Sequence, residues 1–132
     1  MANSLEQALY EHTTEISSVA AITADRVFFD EAPENAKLPY VIVGLAGGPK
    51  GAFTQGDRNS GLTRIDWACF HSSQWQAHIL ARYIRDDLYE YRGLLKGVMI
   101  EETSMMDLQK IPSLNPGIYG YRTEAQIRWT IT

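Results

Sequence analysis

The chain has 132 residues, of which 45% are apolar and 21% charged, and a formal net charge of −4. That composition predicts one soluble globular domain, residues 1–132, able to bury roughly two-thirds of its unfolded surface. The acidic balance argues against a phosphate-binding surface, which needs clustered Lys and Arg. A single cysteine, Cys69, excludes an internal disulfide framework and fits a reducing compartment. No apolar run approaches the ~20 residues that span a bilayer. Residues 1–6 carry neither a basic nor an apolar leader segment, so no secretion signal is expected.

Ser4 followed by Gln7 forms a capping box, and Leu5, Ala8, Leu9, His12 and Ile16 keep helical spacing. Paired β-branched residues, Thr13 and Thr14, predict the end of this first helix. Residues 15–22 form a further short helical turn packing Ile16, Val19 and Ile22. A short strand at 26–30 follows, then a polar loop at 31–37 punctuated by Pro33. Residues 38–45 are rich in β-branched and aromatic types and read as a buried strand with Pro39 at its start.

A long connection at 46–60, with Gly47, Gly48, Gly51 and Gly56, comes next. Loops of that length in compact domains are usually functional or ordered by a partner. Its one large apolar anchor is Phe53, among Lys50, Gln55, Asp57 and Arg58, and we assign these five to an assembly interface. Residues 61–71 carry apolar side chains on both alternating sets, which predicts a central strand.

The most strongly patterned stretch is 73–92. Ser73 and Gln76 form a second capping box, and Trp75, Ile79, Leu80, Tyr83, Ile84, Leu88 and Tyr91 recur at three- and four-residue steps. Gly93 fits the left-handed position beyond a helix end. Residues 98–110 are strand-like, with Val98, Ile100, Met106 and Leu108 on one face and acidic or polar residues on the other. Pro112 and Pro116 mark a turn. The last segment, 119–132, alternates cleanly. Tyr119, Tyr121, Thr123, Ala125, Ile127, Trp129 and Ile131 share one face, and Arg122, Glu124, Gln126, Arg128 and Thr130 share the other. We expect this strand at a sheet edge, with Arg122, Glu124, Gln126 and Arg128 available to an assembly partner. The whole predicts an α+β domain: a mostly antiparallel sheet of four to five strands, with helices packed on one face and the other face polar.

Candidate chemistry is thin. Cys69 and His71, two apart on a strand, form a conceivable nucleophilic pair, but Cys69 lies among Ile65 and Trp67 and reads as core. His71 and His78 have no third ligand at a recognisable metal spacing. The glycine-rich segment from Gly44 to Gly51 fails as a phosphate loop. Pro49 removes a backbone donor, no Ser or Thr follows Lys50 where one is required, and no helix opens there. Glu101 and Glu102 alternate across a strand, and Asp86 and Asp87 are helix neighbours, so neither pair converges for acid–base work. No cofactor and no catalytic residue is assigned.

Three stretches resemble one family, the tail-completion or tail-terminator proteins of long-tailed bacteriophages. The first is an N-terminal helix leading to residues 26–33, then Leu38, Pro39 and Tyr40. The second is the strand that ends at Phe70 and His71 before Ser72, Ser73 and the amphipathic helix. The third is the aromatic turn 115–122 before the last strand. The resemblance implies a non-enzymatic virion protein, assembled in the host bacterial cytoplasm and sitting at the head-proximal end of the tail. It would form a ring, commonly hexameric, that caps the tail tube protein and docks the head–tail connector or stopper protein. DNA would pass through the lumen only as cargo, and no membrane is involved. The competing expectation is a small ligand-binding or hydrolytic α+β domain using the Cys69/His71 region.

Overall fold

The computed structural model describes residues 4–46, 60–105, 107–112 and 115–131. In chain order these form helices α1 (Leu5–Glu15) and α2 (Ser17–Thr23), strands β1 (Val27–Phe29), β2 (Tyr40–Leu45) and β3 (Ser60–His71), and helix α3 (Gln74–Leu88). Strands β4 (Gly93–Leu95), β5 (Val98–Met105), β6 (Gln109–Ile111) and β7 (Tyr119–Ile131) complete the chain. The fold is α+β, as the alternation and helix spacing predict.

One sheet gathers all seven strands in the order β1-β2-β3-β7-β5-β4, with β6 also pairing β7. It is larger than the four to five strands expected, and it is mixed, because β1 and β2 run parallel. Every other pairing is antiparallel. The expected edge position of the last strand is overturned. β7 lies inside the sheet, paired to β3 from Tyr119 to Thr130 on one side and to β5 and β6 on the other. Its thirteen residues satisfy their backbone through two ladders. The edges fall instead to the three-residue strands β1, β4 and β6, and short edges are one way proteins limit stray pairing.

The serine half of each expected capping box forms. The Ser4 Oγ accepts from the Gln7 N–H at 3.1 Å and the Ser73 Oγ from the Gln76 N–H at 3.3 Å. Helix α1 runs one residue beyond its threonine pair. Thr13 and Thr14 turn their hydroxyls back onto the Leu9 and Glu11 carbonyls, at 2.7 and 2.6 Å, and so stay within the helix.

Helix α3 stops at Leu88, short of the expected 92, because the chain reverses at Glu90, whose φ is +55°. Gly93, expected as the helix terminator, opens β4 with φ +129°. Lys96 and Gly97, both at positive φ, then make a two-residue hairpin into β5. The predicted strand 98–110 is broken in two. A register shift between Ile100 and Glu102 interrupts strict alternation in β5, which ends at Met105 before β6 begins.

The core lies between the sheet and the helices. Val41 and Val43 of β2, Ile65, Trp67 and Cys69 of β3, and Ala125, Ile127 and Trp129 of β7 meet Leu5 and Leu9 of α1 and Leu80, Ile84 and Leu88 of α3. Helix α3 crosses β3 and β7, whereas α1 touches β1, β2 and β4, so the sheet curls around its helical layer. The buried stripe of α3 is Ala77, Leu80, Ala81, Ile84 and Leu88. Trp75 and Tyr83, expected on that stripe, are 63% and 40% exposed. The alanines lie at the centre of the true stripe because their small side chains let the helix approach the sheet closely.

Candidate assembly surface

Among the described residues no helix lies over the outer face of the sheet, and the centre of that face is charged. On β7, Arg122, Glu124, Gln126 and Arg128 point to this face, as the alternation predicts. The register sets Glu124 directly opposite Asp66 of β3, a like-charged cross-strand pair that would be destabilising alone. Two arginines resolve it on the diagonals. Arg64 of β3 bonds the Glu124 carboxylate, and Arg122 of β7 lies 4.0 Å from Asp66 and donates to the Gln109 Oε1 of β6 at 2.8 Å. Burial raises the Asp66 pKa; Arg122 opposes that shift, and the Glu124 charge adds to it.

Asp66, Arg64 and Gln109 were not assigned in advance. The polar positions Arg64 and Asp66, two apart in β3, carry the signal for this face, whereas the central-strand expectation rests on the apolar residues of that segment. Of the remaining expected interface residues, Lys50, Phe53, Gln55, Asp57 and Arg58 lie outside the described residues.

One end of the same face is apolar. Phe28 of β1 contacts Tyr40 of β2 edge-on at 5.9 Å between ring centroids, and Tyr40 contacts Phe70 of β3 at 5.2 Å. Gly120 of β7 leaves room for the Phe70 ring, which then approaches Ile111 of β6. At the other end, Leu94, Met99 and Leu62 are 63%, 37% and 43% exposed. On the helical side, the Trp75 ring stacks on His78 at 5.5 Å, and His78 meets Tyr121 edge-on at 4.9 Å. His12 of α1 lies 2.6 Å from Asp87 of α3 and ties the two helices together.

The residues of the competing enzymatic expectation, Cys69 and His71, both lie on β3. Cys69 is fully buried in the core, and burial pushes its thiol pKa up, away from the nucleophilic thiolate. His71, its pKa lowered by partial burial, accepts the Ser72 N–H on Nδ1 at 2.8 Å at the mouth of α3. Among the described residues no group of three His, Cys, Asp or Glu side chains could hold a metal ion. No described helix is long and apolar enough to cross a membrane.

An α+β domain with an uncovered, internally paired charged face and scattered exposed aromatics is thus what the geometry defines. Among solved structures, the fold is similar to that of a chain in the virion of a native gene transfer agent particle. The match has a TM-score of 0.72 at 14% identity and covers 96% of this chain and 95% of the other. No known family model matches the sequence, and no curated protein is similar to it.

Proposed function

We propose that the chain is a structural virion component that forms a ring terminating the tail tube of a phage or phage-like particle and joins it to the head. The observation that carries this reading is the end-to-end correspondence of fold with a gene transfer agent virion chain, with almost no residue of either left over. The buried Cys69 thiol and the self-satisfied charges around Asp66 and Glu124 suit a part that binds rather than reacts. In this reading the ring holds several copies, commonly six, and meets the tail tube protein on one side and the connector or stopper on the other. The face bearing Arg122, Glu124, Gln126 and Arg128 turns to the lumen or to a neighbour. Its mixture of signs lets DNA pass without the clustered cations that would retain it.

The test is imaging of purified particles. Cryo-EM of tails should find one ring of this chain at the head-proximal end, and lysates lacking the chain should hold tails and filled heads that fail to join. Particles that join normally without it would overturn the proposal.

A further inference from the structure

The sheet ends on two strands of equal length. β1 has β2 as its strand partner and β4 has β5, so each, like the side branch β6, has a side that no other described strand covers, although the Leu94 carbonyl accepts the Tyr91 hydroxyl at 3.4 Å and the Phe29 carbonyl accepts the Glu31 N–H at 2.8 Å. Such an edge is a template for pairing with another chain.

The residues that flank the two strands differ in sign. β1 is bracketed by Asp25 on one side and by Asp30 and Glu31 on the other, all exposed. Arg26, whose Nε donates to the Pro39 carbonyl at 2.9 Å, offsets one of these three charges. Glu6, in a cleft beside Phe29, has its pKa raised, first by burial and further by the Asp30 charge. β4 is bracketed by Arg92 and Lys96. Arg92 makes no ion pair among the described residues but lines a cleft with Glu90 and Glu102, and Lys96 meets Glu15, at 2.5 Å, through a carboxylate that is itself 59% exposed.

Apolar groups match as well. Leu94 is 63% exposed while its neighbour Leu95 is buried, so Leu94 points to the open face beside the free edge. At the opposite edge and on the same face, Phe28 begins the aromatic row with Tyr40 and Phe70.

We infer that β4 of one copy pairs with β1 of the next, extending the sheet from subunit to subunit; this deepens the ring reading above and rests on it. Acidic residues stand at both ends of β1 and basic residues at both ends of β4, so opposite charges meet in either strand direction. Leu94 then extends the neighbour's row at Phe28. The contact joins two different surfaces, so it propagates head to tail and closes when the rotation fits. Closure covers the β1 and β4 edges and sets the charged face of every copy on the same side of the wall.

Charge reversal tests it on the full chain. One variant carries Asp25→Lys and Glu31→Lys, the other Arg92→Glu and Lys96→Asp. Asp is chosen at 96 because it tolerates the positive φ of that turn. Far-UV circular dichroism and thermal melts establish that each is folded. Sedimentation and native mass spectrometry, at low salt and the highest soluble concentration, then read the ring. The wild type should form it, each variant alone should lose it, and the two variants mixed should regain it by alternation, weakening as salt is added. Folded variants that each assemble like the wild type would overturn the edge contact and leave the ring reading standing. Loss by each variant without recovery in the mixture would also overturn the edge contact. A wild type that forms no ring, free or on purified tubes, would overturn both.

Discussion

The indole N–H of Trp67, at the middle of β3, donates to the Thr13 hydroxyl of α1 at 3.0 Å, and that hydroxyl donates in turn to the Leu9 carbonyl at 2.7 Å. All the groups involved are buried. This relay fixes the first helix over the centre of the sheet, because an indole donor left unpaired in the core carries its full desolvation cost. Thr13→Val keeps the shape and removes the acceptor. The expected loss is about 1–3 kcal/mol in urea unfolding. Trp67→Phe in the Thr13→Val background should cost less than the sum of the two single changes, since the stranded donor is gone. Additive losses would rule the relay out as a coupled element.

Gly120 is a second such constraint, one of space rather than polarity. A Cβ placed there would lie 2.9 Å from Cε1 and 3.0 Å from Cδ1 of Phe70, and 3.2 Å from Cβ of Ile111. Gly120→Ala should therefore destabilise the protein by about 1–3 kcal/mol, in the range of overpacking. Adding Phe70→Leu, a smaller side chain on the crowded side, should recover part of that loss. An unchanged melting temperature for Gly120→Ala would refute the packing.

Elements whose causes are local were legible in the sequence. The two serine caps, the helical turns they start and the thirteen-residue alternation of β7 each rest on residues within a few positions of one another. Elements that depend on distant partners were not. β4 is three residues long and contains a glycine, so it has no period to detect, and it exists because β5 pairs it. The interior position of β7 depends on β3 and β5 both reaching it, which its own residues do not encode.

The candidate surface divides the same way. Alternation alone placed Arg122, Glu124, Gln126 and Arg128 on one face. Register between strands 60 residues apart was needed to bring Arg64 to Glu124 and Asp66 to Arg122. The outward position of Trp75 and Tyr83 was missed for another reason. α3 carries more apolar residues than the core accepts, and large aromatics outweigh alanines in any reading of periodicity.

Asp66 supplies a pH-dependent expectation. Its folded-state pKa is raised, chiefly by burial, so the folded protein holds the proton more tightly than the unfolded chain. Stability contributed by this group is then present at acid pH and falls as pH rises through the raised pKa, leaving a cost at neutral pH. Asp66→Asn removes that dependence. The variant should match or exceed the wild type in melting temperature at neutral pH, and the difference should shrink as the pH is lowered into the carboxylate range. A variant less stable at neutral pH than at acid pH, relative to wild type, would mean that the Arg122 contact outweighs the burial.

The phase of α3 is the strictest check on the core. Ile84 and Ala81 are fully buried against the sheet, while Trp75, only six residues before Ala81, is largely exposed. Ile84→Asp would place a carboxylate among Leu80, Ile65 and Ile127, at a cost of several kcal/mol, enough to unfold a domain of ordinary stability. Ala81→Leu adds volume at a fully buried position of α3, and about 1–3 kcal/mol should be lost. Trp75→Ser on the outer side should move the monomer by no more than about 0.5–1 kcal/mol, the small excess reflecting its stacking on His78. That order separates the buried stripe seen here from the one the sequence suggests, in which Trp75 would be core and Ala81 would be neutral. A Trp75→Ser variant as unstable as Ala81→Leu would restore the sequence's phase and reject the structure's.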